Sequence, residues 1–142
     1  MKALTLWQPW ASLIAWGEKQ YETRGYGIAH RGTLAIHAGL MDDTQALIQA
    51  NAFYREAFDR AGVHYQQTLP AGCVLCVVDL VEVVFTDGLQ VSSREESFGD
   101  YSTGRYAWKL ENLRELANPI PARGYQGLWN WARELDTLEF RK

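Results

Sequence analysis

Three charged side chains of different chemistry lie close together near the start of the chain: Lys19, Glu22 and Arg24. An ammonium beside a cleft binds phosphate, or serves as a general base when burial lowers its pKa. A guanidinium offers planar donors to a phosphate or a base edge, and a carboxylate accepts from an exocyclic amine, as in the recognition of cytosine. The sequence therefore predicts these residues as ligand contacts, with Lys19 and Glu22 as the catalytic residues if the protein is an enzyme. The alternative is a solvated lysine beside a structural Glu22–Arg24 ion pair.

Backbone periodicity indicates how these three side chains meet. In a strand, Glu22 and Arg24 project from the same face, and Lys19 joins them only if it precedes the strand. Just upstream, Pro9 fits the first turn of a helix that Gly17 would end. We therefore expect a helix, a glycine stop and a short polar strand in one continuous segment.

Aromatic and amide side chains flank the charged group. Gln8, Pro9 and Trp10 open the helix, and Tyr106 begins a later strand. Trp10 and Tyr106 offer flat faces on which a base can stack. Because Trp10 also falls on the apolar stripe of the helix, core packing is the alternative for it.

Three more candidate ligand contacts lie further along the chain. His37 ends an apolar strand, where a histidine is either a proton carrier or a hydrogen-bonded structural residue. Tyr101 and Arg105 belong to a polar segment at 86–104, which predicts a long loop able to close over a ligand.

The apolar segment 72–85 contains two cysteines and one acid. Cys73 and Cys76 have metal-type spacing, but there is no second ligand pair, and a strand would place them on opposite faces. We expect buried thiols, no metal and no cofactor. A buried Asp79 needs partners in this strand, and three roles are open to it: to orient Lys19, to orient a backbone turn, or to be a structural residue.

Size and charge limit the possible functions. A chain of 142 residues with 47% hydrophobic content fits one domain, residues 1–142. Its net charge of −3 is atypical of a generic duplex binder, so a nucleic-acid contact would need a local patch or a pocket for one nucleotide. The longest apolar run is too short to cross a bilayer and no leader opens the sequence, so we expect a cytoplasmic protein without membrane contact.

Hydrophobic periodicity predicts five or six strands and two or three helices. An interruption of the second helix is expected near Asn51, and Pro119 and Pro121 favour an edge segment. Strands are predicted at residues 2–6, 20–26, 33–37, 72–85 and 106–116, and helices at residues 9–16, 42–61 and 128–135.

Ordered motifs also run along most of the chain. They are Gln8-Pro9-Trp10-Ala11, Gly17-Glu18-Lys19 with Glu22-Thr23-Arg24, the strands 31–38 and 72–80, and the closing segments 104–110 and 119–129. In this order they resemble the ASCH domain family, a branch of the PUA-like superfamily, with 42–70 the weakest part. The resemblance implies an α+β fold, a PUA-like mixed β pseudo-barrel. It also implies a cleft in which Lys19, Glu22 and Arg24 converge.

The resemblance implies first a binding module for one nucleotide or modified base of RNA or single-stranded DNA, or for a nucleoside. Arg105, Lys109 and Arg123 would then contact flanking phosphates. The oligomeric state stays open.

Other members of the family imply two catalytic alternatives. One bacterial branch is similar to an amidohydrolase that deacetylates N4-acetylcytidine with a lysine, a threonine three residues later and a glutamate. Lys19 matches the lysine, whereas position 22 is Glu with Thr23 one step on, and Glu95 or Glu96 is the candidate third partner. The other alternative is ribonuclease activity.

If the protein is a ribonuclease, we expect Lys19, Glu22 and Arg24 to act as acid or base and as phosphate clamp. His37 is then an added candidate proton carrier. The last alternative is a protein-interaction module that uses the helix at 42–61 as its contact face.

Overall fold

Six strands form one mixed sheet in the computed structural model, which describes residues 1–142. The strands are β1 (Lys2–Gln8), β2 (Tyr21–Arg24), β3 (Gly32–Asp42), β4 (Cys73–Phe85), β5 (Tyr106–Pro121) and β6 (Leu128–Asn130). Their order in the sheet is β2-β5-β4-β3-β1-β6. Only β1 and β3 run parallel, and all the other neighbours are antiparallel.

Four α-helices accompany the sheet: α1 (Trp10–Ala15), α2 (Thr44–Ala50), α3 (Ala52–Ala61) and α4 (Ser93–Ser97), with a 3-10 turn at Leu135–Thr137. The predicted α+β fold is confirmed, but there are four helices where two or three were predicted. The predicted helix at 42–61 is two helices, and α4 lies inside the predicted loop 86–104. The Ser92 hydroxyl accepts from the Glu95 N–H at 3.0 Å and so caps α4. None of the helices has the length and apolar character needed to cross a bilayer.

The sheet curls without closing. Its edge strands β2 and β6 do not pair, but an Arg24 Nη2 donates to the Thr5 carbonyl at 3.3 Å. Because β2 and β1 are not neighbours in the strand order, this contact crosses the open side of the curl. The result is a pseudo-barrel with a seam between β1 and β2.

Helix α1 lies between two apolar layers. Ile14 packs into the sheet core with Trp108, and Leu13 packs into a second cluster with Phe58 and Phe98. Full burial of a leucine such as Leu13 is worth about 1.5–3 kcal/mol. The helix thus fixes the adjacent polar strand β2 against both layers.

Two local predictions about the helices have opposite outcomes. Asn51 is extended between α2 and α3 and its side chain accepts from the Phe53 N–H, so the predicted interruption is confirmed. The predicted helix at 128–135 is wrong, because Leu128–Asn130 forms β6 antiparallel to β1. Trp129 and Trp131 are both buried with exposed Asn130 between them, which is the period of a strand.

The predictions for the apolar strand β4 are only partly confirmed. Cys73 and Cys76 are buried free thiols, and burial raises the pKa of the Cys76 thiol. They nevertheless join one hydrophobic cluster, since the pairing of β4 is irregular between Val74 and Cys76. The prediction of opposite faces is therefore wrong. Burial on both faces holds only for the first half of the strand, because from Val81 onward its residues are more exposed.

Of the roles open to Asp79, the contacts fit the structural one, and Asp79 does not orient Lys19. Its carboxylate accepts from Arg114 Nη2 at 2.6 Å and from Asn112 Nδ2 at 3.0 Å. The register of β4 and β5 places Asp79 opposite Glu111, which brings the following residues of β5 within reach. Asp79 is therefore a structural ion-pair partner of β5.

Candidate functional site

A cavity of about 460 Å³ opens at the seam between β1 and β2, and is called here the first cavity. Strand β2 supplies the polar wall, while β1, α1 and α3 supply aromatic side chains, and the loop after α4 closes the remaining side. The residues used below are Thr5, Trp7, Trp10, Glu22, Thr23, Arg24, Tyr54, Phe98 and Asp100.

Glu22 and Arg24 form a fixed pair on the wall of this cavity. Arg24 Nε donates to Glu22 Oε2 at 3.0 Å, and Arg24 Nη2 donates across the seam to Thr5. Arg24 Nη1 makes no hydrogen bond and stays free to donate. Glu22 Oε1 makes no hydrogen bond either but lies 3.7 Å from the Lys19 ammonium, and a carboxylate oxygen can accept more than one donor. Alternation along β2 gives both side chains the same face, as the sequence predicts.

Lys19 lies behind this pair. Its side chain is buried at 2% exposure, and Nζ donates to the Phe98 carbonyl at 2.8 Å and lies 3.7 Å from Glu22 Oε1. Burial lowers the pKa of this ammonium, against the attraction of Glu22 and Glu95. Lys19 does not line the first cavity but a separate one of about 340 Å³, together with Lys109.

Glu95 completes a buried charged cluster with Lys19 and Glu22. It is 7% exposed, and its Oε1 accepts from the Gln20 N–H at 2.8 Å. Its Oε2 is buried without a hydrogen-bond partner, and burial raises the pKa of the carboxyl. Glu96 is exposed, so of the two sequence candidates Glu95 is the one beside Lys19.

Two tryptophans of different exposure form the apolar walls. Trp10 Nε1 donates to the Tyr54 hydroxyl at 3.1 Å, and that hydroxyl donates to the Ser97 carbonyl at 3.0 Å. Burial raises the pKa of Tyr54 to about 12. Trp7 is 48% exposed and lines the same cavity.

The geometry therefore offers an acceptor, a donor and aromatic walls in one cavity of about 460 Å³. The family model for the ASCH domain matches residues 4–120 of this chain. The chain belongs to the ASCH domain family.

Relatives of this ASCH domain include much longer proteins. It is 32% identical over 130 residues to "Activating signal cointegrator 1" of Mus musculus, covering 89% of this chain and 21% of the relative. The corresponding human protein is 31% identical over 130 residues with the same coverage. The chain thus spans about a fifth of the length of these curated relatives.

Solved structures support the fold. The crystal structure of ASCH from Zymomonas mobilis superimposes with a TM-score of 0.53 at 15% identity, covering 96% of this chain and 90% of that one. A point mutant of the same protein gives a TM-score of 0.53 at 16% identity, covering 96% and 92%. At this identity the likeness establishes the ASCH fold alone.

Gln8 and Pro9 lie at the N-terminal end of α1 and do not line the first cavity. Gln8 is 1% exposed; its amide donates to Ser12 Oγ and to the Pro70 carbonyl, both at 2.9 Å, and Oε1 accepts from the Ser12 N–H. Pro9 is buried after a cis peptide bond at the N-cap of α1. Both residues hold the turn that positions Trp10.

Tyr106, Arg105 and Tyr101 lie around the rim instead of inside the first cavity. Tyr106 packs on Phe85 with ring centroids 4.8 Å apart. Arg105 donates to the carbonyls of Asp100 and Thr23 at 3.1 and 3.4 Å, which fixes the loop after α4.

Tyr101 is half-buried on this loop. Its hydroxyl is buried without a partner, and burial, with Glu95 nearby, raises its pKa. It therefore lies on the side of the charged cluster and not in the first cavity.

His37 is held on both ring nitrogens. Nε2 lies 2.7 Å from the Ala122 carbonyl and must donate to it. In the neutral ring Nδ1 then accepts from Thr5 Oγ1 at 3.1 Å, and Thr5 Oγ1 accepts from Trp129 Nε1 at 3.0 Å. His37 does not reach the first cavity but lines a second one, together with Arg123.

Trp7 and Thr5 line the first cavity but are not among the ligand contacts predicted from the sequence. Both project from the face of β1 opposite to buried Leu4 and Leu6. The alternation of buried and exposed residues in β1 could have identified them, because it places the Trp7 indole outside the core. The local sequence does not predict the curl of the sheet that turns this face toward β2.

Proposed function

We propose that this ASCH domain binds single-stranded nucleic acid, RNA or DNA, and holds one base in the first cavity. The observation that carries the proposal is the Glu22–Arg24 pair on the cavity wall, with the indoles of Trp7 and Trp10 beside it. Recognition of single strands commonly combines such stacking faces with hydrogen bonds to the base edge.

The free groups of the pair match the edge of cytosine. Its exocyclic amine would donate to Glu22 Oε1, and its N3 would accept from Arg24 Nη1. Uracil places a carbonyl where cytosine has the amine, so it would meet the Glu22 carboxylate with like polarity. The site is therefore expected to prefer cytosine to uracil.

Lys19 acts as a positioning residue in this proposal. Its ammonium approaches Glu22 Oε1 from the protein interior, while Arg24 holds Oε2. The carboxylate is thus fixed between two cations and meets a base without reorganisation. Preorganised polar groups of this kind favour specificity because their ordering is complete before binding.

The test is an NMR titration of the labelled protein with cytidine, uridine and short single-stranded RNA. Shifts should cluster at Trp7, Trp10, Glu22 and Arg24, and cytidine should bind more tightly than uridine. The variant Arg24→Ala should lose this binding, whereas the control Arg31→Ala should not, because Arg31 donates only to the carbonyls of its own turn. Shifts confined to other surfaces would remove the proposal.

Hydrolysis is the second candidate, and the buried cluster is the observation that favours it. Lys19 with a lowered pKa lies beside Glu22 and Glu95, and groups with perturbed pKa values concentrate at functional sites. Thr23 lines the same cavity, and its hydroxyl accepts from the Asp100 N–H at 2.9 Å. Since Lys19 is buried, Arg24 is the cation placed to stabilise an oxyanion, and Glu22 is the base placed to take a proton from water.

Mass spectrometry of the same titration samples tests this candidate. A deacetylase would convert N4-acetylcytidine and water to cytidine and acetate, and Glu22→Gln would abolish the conversion. A ribonuclease would shorten the RNA. Unchanged masses after long incubation would exclude both activities and leave binding alone.

A further inference from the structure

A second cavity, of about 800 Å³, opens on the other side of the seam. It shares Thr5, Trp7 and Arg24 with the first cavity. The Arg24 guanidinium and the Trp7 indole therefore form a common wall between two adjoining spaces. A ligand longer than one nucleotide can occupy both spaces by passing over this wall.

The second cavity has the opposite charge character to the first. Its charged lining residues are Arg24 and Arg123, with no Asp or Glu, whereas Glu22 and Asp100 line the first. In a chain with a net charge of −3, a region with two arginines and no carboxylate is a local positive patch. A phosphodiester is the ligand chemistry that complements it.

Exposed apolar side chains concentrate around the same cavity. Trp7 is 48% exposed, Tyr26 42%, Leu40 83% and Tyr125 53%, and all four line it. Arg123 lies over the Tyr125 ring, 5.3 Å from its centroid. Aromatic faces interleaved with arginines bind bases by stacking and backbone phosphates by charge.

The backbone segment 123–127 forms one wall of this cavity and leaves its amides free. None of its N–H groups donates a hydrogen bond within the chain, so they can donate to phosphate oxygens. Gly124 allows the close approach of this segment, because a Cβ there would lie 2.6 Å from Thr5 Oγ1 and 2.7 Å from His37 Cε1. His37 therefore supports this wall.

From these observations we infer that the second cavity binds the neighbouring nucleotide of the same strand, with its phosphate at Arg123 and its base against Tyr125 or Trp7. The inference rests on the proposed function, since the first base must occupy the first cavity. It assigns affinity to the second cavity and base selection to the first.

The test is a calorimetric titration with cytidine 5′-monophosphate, a cytidine-containing dinucleotide and a tetranucleotide. The dinucleotide should bind roughly tenfold or more tightly than the mononucleotide, as expected for one added stacking contact. Arg123→Ala and Tyr125→Ala should each remove most of this gain and leave mononucleotide binding unchanged. Both side chains are outside the core, so the fold should tolerate the changes.

The matched control is Arg133→Ala. It removes the same charge from another arginine that lies over an aromatic ring, Trp131 at 6.0 Å, and should leave the dinucleotide gain intact. An equal loss in the control would overturn the inference, because overall charge would then explain it. Equal competition by a glutamate-rich peptide would overturn it for the same reason.

The outcomes separate the two proposals. A mononucleotide that binds without any dinucleotide gain overturns the second subsite and leaves the first cavity standing. A strand that needs Arg123 and Tyr125 but is indifferent to Glu22→Gln overturns the proposed base pocket and supports the second cavity as a nucleic-acid site. No binding of any nucleotide or strand overturns both.

Discussion

The two cavities on either side of Arg24 differ in how their polar groups are held. In the first, Glu22 is fixed by Arg24 at 3.0 Å and backed by the buried ammonium of Lys19. In the second, Arg123 and Tyr125 are largely free of such constraint and stand beside unpaired backbone amides. A rigid, charge-balanced wall therefore suits recognition of a base edge, whereas an open basic wall suits contact with the phosphate backbone of a nucleic acid. Four predictions test this difference between the cavities, from the largest expected effect to the smallest.

The largest effect is expected from Lys19→Ala. The change leaves Glu22 and Glu95 buried with one cation fewer, and loss of one partner from a buried ion pair costs about 3–5 kcal/mol. Chemical denaturation should show a loss of this size in the free energy of unfolding. The control Lys142→Ala, an exposed lysine that forms no ion pair, should change it by less than about 0.5 kcal/mol. Similar results for the two variants would mean that the first cavity does not depend on its buried support.

Glu22→Gln should remove selectivity more than it removes binding. The amide can still contact a base, but it no longer distinguishes an exocyclic amine from a carbonyl. The ratio of cytidine to uridine affinity should fall by roughly tenfold, equivalent to about 1–3 kcal/mol of discrimination. Fluorescence titration measures this ratio, and Glu82→Gln, on the exposed part of β4, is the control. A ratio that survives the change would place base selection elsewhere.

Salt should act mainly on the second cavity. Each phosphate contact in a single strand contributes about −0.7 to the slope of log K against log salt. Arg123→Ala should therefore make the slope for a tetranucleotide shallower by about that amount, while the slope for uncharged cytidine stays near zero in both proteins. Titrations at several salt concentrations give these slopes. An unchanged slope would show that Arg123 contacts no phosphate.

The smallest effect is expected from the pH dependence of stability through Glu95. Burial raises the pKa of this carboxyl in the folded protein, so folding favours its protonated form. The resulting stability is fully present below the unfolded pKa and is lost as pH rises through the raised folded pKa. Groups around Glu95 that modulate this are Lys19, Arg94, Tyr101 and the N–H of Gln20.

Glu95→Gln should therefore flatten the fall in stability as pH rises from below the unfolded pKa of a glutamate toward neutrality. Denaturation curves at several pH values measure it, with exposed Glu96→Gln as the control. A fall that persists unchanged in Glu95→Gln would assign the pH dependence to another group.

Much of the fold and part of the site could be predicted from local patterns. The break at Asn51 and the shared face of Glu22 and Arg24 follow from side-chain periods that local sterics impose on helices and strands. Misreading of 128–135 has a local cause too. Its strand is three residues long, and so short a segment does not distinguish a period of two from one near four.

Local sequence patterns were enough to predict that Glu22 and Arg24 share one face of a strand and that both cysteines are buried. It also contained the ordered motifs of the ASCH family. The positions of Lys19 beside Glu22, of Trp7 on the lining of both cavities and of Arg24 between them are visible only in the tertiary structure. Those arrangements depend on the curl that brings β2 against β1. Such a curl arises from contacts between residues far apart in the chain, whereas the local pattern fixes only the face from which each side chain projects.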